Sequence, residues 1–152
     1  MIATVLLAVL GTVTACSKPE PGVSFFSAGH EIRTKPIQYC NSQVTTCYTA
    51  NGDTASLAVP AGDPLQISVD SDVAQAVWVV VFKYRDQNGA TQEDRSALFP
   101  AGTQYAYTLR PPTPSDQLTL VQVQQIGAIT MAPGDTAPTY QATRVWSLTA
   151  TG

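Results

Sequence analysis

Histidine occurs once in this 152-residue chain, at His30, and charged residues of all kinds make up only 12%. A Ser-His-Asp or Cys-His centre needs an imidazole beside a nucleophile, so any such site must use His30. A zinc-type cluster would need more ligands than one histidine and three cysteines supply at these spacings. Lys and Arg total eight, scattered along the chain, and the net charge is −3. Proteins that grip nucleic-acid phosphates concentrate basic residues, so nucleic acid is excluded as a partner. No Gly-rich phosphate cradle opens a helix pattern, and no serine sits in a G-x-S-x-G elbow. The sequence implies no cofactor.

What fills the gap is Thr, Ser, Gln, Ala, Pro and Gly, beside an ordinary apolar share of 44%. That mix suits strands, turns and polar loops outside the cytoplasm. A helical bundle would draw on Glu, Lys, Arg and Leu instead. The length fits one domain.

Apolar residues recur with a period of two, as in half-buried strands. Leu65, Ile67 and Val69 alternate with Gln66, Ser68 and Asp70. Tyr105, Tyr107 and Leu109 form one face, as do Arg144, Trp146 and Leu148. In AVWVVVFKYR, residues 76–85, Trp78, Val80, Phe82 and Tyr84 share a face and Val77, Val79 and Val81 share the other. A strand apolar on both sides at its start is expected to be covered on both sides there. Asn88-Gly89 then signals a hairpin, because both residues accept positive φ. Leu118 and Leu120 fall out of phase with Val121 and Val123, which predicts a bulge. Turn clusters rich in Pro, Gly, Asn and Asp separate these runs. The candidate strands are 23–27, 31–40, 47–50, 55–59, 65–70, 76–86, 91–99, 104–110, 117–125 and 142–150, eight or nine once fused or broken runs are allowed for. The expected fold is all-β: an antiparallel immunoglobulin-like β-sandwich, without the long-range Cys–Trp–Cys arrangement of antibody domains.

The chain begins MIATVLLAVLGTVTAC. Its apolar run has the length of a secretory h-region and is too short to span a bilayer. Val13-Thr14-Ala15-Cys16 resembles the lipobox of bacterial lipoproteins, where the cysteine receives a diacylglycerol and becomes the new N-terminus. The alternative is an ordinary secretory signal with Cys16 incidental. No Lys or Arg precedes Lys18, so the expectation is a translation start further upstream. The expected organisation is a signal peptide over 1–15, a lipid-anchored Pro-rich tether over 16–22, and a sandwich over 23–152. Two acyl chains suffice for stable anchoring, which makes the membrane a partner through the N-terminal diacylglycerol.

Export implies an oxidising compartment, so Cys40 and Cys47 are expected to pair. The polar stretch between them would join two strands, and the spacing is not the C-x-x-C of a redox site. Cys16, the odd thiol, is then the one taken by lipid.

The order of these pieces resembles a family of actinobacterial lipoproteins catalogued as domain of unknown function 2771. The likeness rests on VTAC, PEPGVSFFSAG, the Cys40/Cys47 pair, AGDPLQISVD, WVVVFKYRDQNG and DQLTLVQVQ, over most of residues 20–125. It implies an exported, membrane-anchored, mostly β domain, and it brings no activity and no catalytic residue.

The remaining candidates are few. His30 sits in an expected tight turn. Asp70 and Asp72 could be read as paired acids or a calcium site, or as plain turn residues. Glu93-Asp94-Arg95 reads as a solvated hairpin arm. Trp78, Tyr84, Tyr105 and Tyr107 could line an apolar groove or fill the core. The functional expectation is a cell-membrane lipoprotein facing outward, a non-enzymatic binding or accessory module engaging a cell-envelope protein or lipid. The alternative is a carrier or sensor of an apolar envelope molecule, and a hydrolase through His30 is a third reading.

Overall fold

A computed structural model describes residues 19–152 of the chain. The expected signal peptide, Cys16 and the first part of the tether lie outside the described residues. Eleven strands form two sheets. The first sheet contains β1 (Val23–Ser27), β2 (His30–Thr34), β6 (Leu65–Val69) and β9 (Ala106–Leu109), in the order β2-β1-β6-β9. The second contains β3 (Gln38–Cys40), β4 (Cys47–Thr49), β7 (Trp78–Arg85), β8 (Thr91–Arg95), β10 (Gln117–Thr130) and β11 (Thr139–Thr151), in the order β4-β3-β11-β10-β7-β8. The remaining strand, β5 (Ala55–Ala58), lies along β11 and is the one parallel pairing; every other pair is antiparallel. One helical turn, α1 (Ser71–Ala74), links β6 to the approach of β7.

Pairing of β6 with β9 in one sheet, and the order β7-β10-β11 in the other, is the B–E and C–F–G arrangement of an immunoglobulin-like sandwich. Trp78 opens the strand equivalent to C and is fully buried, as in antibody domains, but it packs on Phe99 within the apolar core and not on an inter-sheet disulfide. The strand count exceeds expectation because runs read as single strands are split. Residues 31–40 break at Lys35-Pro36 into β2 and β3, one in each sheet. Proline lacks the amide that would continue a ladder.

The core lies between the sheets. Val23, Phe25, Leu65, Ile67 and Leu109 face Val80, Phe82, Val123, Trp146 and Leu148 within one buried cluster. Burying each such aliphatic or aromatic side chain is worth roughly 1.5–3 kcal/mol before entropy is counted. The expected bulge in β10 falls between Leu118 and Leu120. It resets the phase, so Leu118, Val121 and Val123 all reach the core while Leu120 turns outward.

The second face of β7 is also covered where expected. Val79 is buried outside the inter-sheet cluster. The β10–β11 hairpin runs on past the sheet, bends at irregularities flanking Ile126, and places Tyr140 over the Arg95 guanidinium of β8 at 4.4 Å. The arm therefore crosses β7 to reach β8. At Asn88-Gly89, only Gly89 takes positive φ. The turn is held by Asp86, whose Oδ1 accepts from the amides of Asn88 and Ala90 and whose Oδ2 accepts from Gln92. The Gln92 amide first, then those backbone amides, hold the Asp86 carboxyl below its usual range.

Candidate functional site

Two ends of the sandwich can be told apart by strand direction. β1 starts at Val23, β6 ends at Val69, β9 starts at Ala106 and β7 starts at Trp78, and the register sets these residues at one end. The turns at Gly29, Gly62 and Gly89 and the 110–116 loop lie at the other. The chain enters the domain at the first end, and its entry is fixed at four consecutive positions.

Glu20 approaches Lys35 at 3.8 Å. The Pro21 carbonyl accepts from the indole Nε1 of Trp146 at 3.1 Å. Gly22 donates its amide to Asp70 Oδ2 at 2.8 Å and accepts from the Asp70 amide at 3.1 Å. Val23 begins β1. Arg33 closes the arrangement from outside, with Nη1 3.0 Å from Asp70 Oδ1 and Nη2 2.5 Å from Oδ2. A side chain at Gly22 would put its Cβ 2.6 Å from the Arg33 guanidinium carbon, so a larger residue there would push the Arg33 side chain from its place. The Arg33 hydrogen bond, helped by the Gly22 amide and opposed by burial, lowers the Asp70 pKa.

Residues of α1 and β11 near this clamp line a cleft of about 500 Å³. Asp72 lies two residues beyond Asp70, and Arg144 two residues before Trp146. Ser42, Gln75, Gln125 and Thr143 complete its polar wall. Gln125 is buried and donates to the carbonyls of Asp72 and Val73 at 3.0 and 3.1 Å, which ties α1 to β10. Gly127 sits beside the cleft because a Cβ there would lie 2.2 Å from Thr143 Cγ2.

A ladder of side chains continues outward from the cleft. Register places Gln125 opposite Arg144, Arg144 opposite Tyr39, and Tyr39 opposite Tyr48. Directly opposite residues share a face. The Arg144 guanidinium lies over the Tyr39 ring at 4.8 Å and its Nη2 is 3.3 Å from the Tyr39 hydroxyl. The Cys40–Cys47 disulfide joins β3 to β4 directly beside this row. The enclosed loop is organised by Asn41, whose Oδ1 accepts from the amides of Thr45 and Thr46 at 2.9 and 3.3 Å. The pair is the local staple that the sequence predicted.

The four aromatic candidates do not form one groove. Trp78 is fully buried, stacks on Phe99 at 4.3 Å and donates Nε1 to the Gln104 carbonyl at 3.2 Å. Tyr107 packs on the other side of Phe99 at 5.2 Å. Tyr84 is half-buried near Phe82, 6.1 Å away, towards the opposite end of β7. Tyr105 precedes β9 and is 49% exposed at the entry end.

Of the other candidates, Asp70 is tied up by Arg33 and Gly22, and Asp72 lines the cleft. Glu93 and Arg95 sit on an exposed edge strand, with Glu93 3.3 Å from Lys83. His30 pairs across its hairpin with Ser27, whose buried hydroxyl has no hydrogen-bond partner, so the imidazole does not activate it. Among the described residues, no three His, Cys, Asp or Glu side chains gather as a metal site. No described helix is long and apolar enough to cross a membrane. Sequence reasoning missed Gly22, Arg33, Lys35, Tyr39, Tyr48 and Arg144. Tyr48 meets Tyr39 and Lys35 meets Glu20 at short range, but the partners of Gly22, Arg33, Tyr39 and Arg144 lie from 37 to 105 positions away, and nothing local marks them.

The fold and the site thus define an all-β, immunoglobulin-like sandwich domain with a clamped N-terminal entry and a polar cleft beside it. The chain belongs to the family described as "Protein of unknown function (DUF2771)", which matches residues 17–151. It is 30% identical over 118 residues to the uncharacterized protein Rv0875c of Mycobacterium tuberculosis, covering 76% of this chain and 70% of that one. The uncharacterized protein Mb0899c of Mycobacterium bovis matches to the same extent. No solved structure matches the chain.

Proposed function

We propose that this protein is an exported lipoprotein, held on the outer face of the cell membrane by a diacylglycerol on Cys16, whose sandwich acts as a non-enzymatic binding or accessory module. One observation supports this above the rest. The second part of the expected tether, Glu20 to Gly22, is built into the domain by Lys35, Trp146 and Asp70, not left as a free linker. Such a joint suits a domain that must be presented at a fixed height and tilt.

The cleft beside the joint offers the Arg144 guanidinium and the Asp72 carboxylate together with amides and hydroxyls. That chemistry suits recognition of a polar segment of an envelope protein or lipid headgroup. The carrier reading draws no comparable support, because the space between the sheets is filled by Trp78, Trp146 and their aliphatic neighbours.

The test is photo-cross-linking from Ser42 in native membranes, with intact mass of the mature protein read in parallel. The expected result is one reproducible envelope partner and a mass carrying a diacylglycerol with two fewer hydrogens for the disulfide. A mature protein without lipid, or cross-links that never recur, would overturn the reading.

A further inference from the structure

All six tyrosines are described, and the three that are exposed, Tyr39, Tyr48 and Tyr105, fall at the entry end of the sandwich. Tyr84, Tyr107 and Tyr140 are each partly buried by neighbours. Tyr48 and Tyr39 extend the Arg144 row on β4 and β3 at one edge of the second sheet, and Tyr105 lies at the same end towards the other edge, beside the start of β7, where its carbonyl accepts from the Val69 amide at 2.9 Å. We propose that this rim, Tyr39, Tyr48 and Tyr105 with Arg144, lies in the headgroup layer of the bilayer that holds the protein's own anchor, with Arg144 on lipid phosphate. The inference rests on the lipid-anchor reading above and adds an orientation to it.

Reach decides the occupant. Two residues, Ser17 and Lys18, separate Cys16 from Pro19, and the three steps of an extended chain cover at most about 3.6 Å each, so roughly 11 Å. From Glu20 onward the segment is docked at the entry end. The headgroup layer on one side of a bilayer is itself about 5–8 Å thick. A domain on so short a lead cannot turn its far end to the membrane while Glu20 to Gly22 stay docked. The entry end therefore stays beside the lipid.

Chemistry agrees with reach. Tyrosine places an apolar ring and a hydroxyl at one level, which is why it concentrates at membrane–water boundaries. The Tyr39 ring and hydroxyl pre-orient the Arg144 guanidinium. Guanidinium binds phosphate oxygens through paired N–H groups, so a partly pre-set fork loses less freedom on contact. The exposed ring of Phe26, by contrast, lies on the outer face of the first sheet, and nothing there indicates a partner.

The experiment uses the full protein, purified from native membranes and reconstituted into vesicles of phosphatidylglycerol and phosphatidylethanolamine with brominated acyl chains. Tryptophan is introduced as Tyr48→Trp at the rim or Asn88→Trp at the opposite hairpin, and each is read against the parent, whose Trp78 and Trp146 are buried. The expected result is that the Tyr48→Trp increment loses most of its emission to the bromines, while the Asn88→Trp increment keeps it. Arg144→Gln should weaken the quenching of Tyr48→Trp more in phosphatidylglycerol-rich vesicles than in others. Equal emission from the two introduced tryptophans, with a diacylglycerol present by mass, would overturn the rim and leave the anchor standing. A mass lacking diacylglycerol would overturn both.

Discussion

Arg33 grips Asp70 through both terminal guanidinium nitrogens, Nη1 and Nη2, and Asp70 passes that grip to the backbone of Gly22. A contact between β2 and the end of β6 thereby fixes where the chain enters the domain. The two side chains are 53% and 35% exposed, so water screens the charge attraction. Arg33→Ala should therefore cost no more than about 1 kcal/mol of global stability. Its effect should be local instead, as faster hydrogen exchange at the Gly22 amide. Unchanged protection at Gly22 would show that the clamp does not hold the entry.

The same pair sets a pH dependence. Arg33 holds the Asp70 carboxyl below its usual range, so the folded value lies under the unfolded one near 3.9. A depressed folded pKa gives stability that is present above the unfolded value and lost as pH falls through the folded one. The clamp should therefore survive into mildly acidic solution and loosen only below about pH 4. Carboxyl chemical shifts of Asp70 should titrate below those of a free aspartate, and Arg33→Ala should move the midpoint upward. A midpoint at the ordinary value in the parent protein would refute the coupling.

Trp146 has two jobs that one substitution can separate. Its ring fills the core and its Nε1 donates to the Pro21 carbonyl. Trp146→Phe keeps much of the apolar volume and removes the donor. Loss of one such hydrogen bond costs about 1 kcal/mol, and the smaller ring adds a cavity term to it. The Pro21 carbonyl would then turn to water. The expected signature is modest destabilisation in urea, together with proteolytic cutting near residue 20 that the parent resists. Destabilisation without new cutting would assign Trp146 to the core alone.

The Cys40–Cys47 bond closes a loop of eight residues, for which the chain-entropy model gives about 2.5 kcal/mol. Cys40→Ser/Cys47→Ser should lower the unfolding free energy by an amount of that order in urea. Because β4 is a three-residue edge strand paired only to β3, it should fray first. Exchange at the Thr45 and Thr46 amides, which Asn41 Oδ1 holds, should rise well above that of β10. Uniform acceleration across the second sheet would contradict a local role.

Much of the fold could be read from the sequence because its signals are local. The period of two in Leu65, Ile67 and Val69, the two-faced start of β7 and the phase slip after Leu118 each depend only on neighbours in sequence. The disulfide was legible from spacing and compartment. The site was not, because the clamp and the ladder depend on which strand lies beside which. Tyr39 meets Arg144 only because β3 pairs with the start of β11, while β5 takes the rest of the same edge. Tyr105 and Tyr107 share a parity, yet β9 begins at Ala106, so only Tyr107 packs on Phe99. The ends of β10 and β11 were also hidden, since Gly127 interrupts the first strand and the Pro133-Gly134-Asp135 turn lies close beyond it.

Gly127 offers the sharpest test of the packing beside the cleft. Its φ lies outside the left-handed region, so a side chain is opposed there by space alone. A Cβ would lie 2.2 Å from Thr143 Cγ2 and 3.2 Å from Val44 Cγ2. Gly127→Ala should cost about 1–3 kcal/mol, the usual range for overpacking. Thr143→Ser removes the clashing methyl and keeps the hydroxyl that donates to the Gln125 carbonyl at 3.2 Å. The double variant should recover most of the loss, giving a coupling energy of order 1 kcal/mol. If the two changes simply add, the arm yields at Gly127 without pressing on Thr143. The cleft wall would then be soft, and ligand recognition there would have to come from Arg144 and the β3–β4 staple.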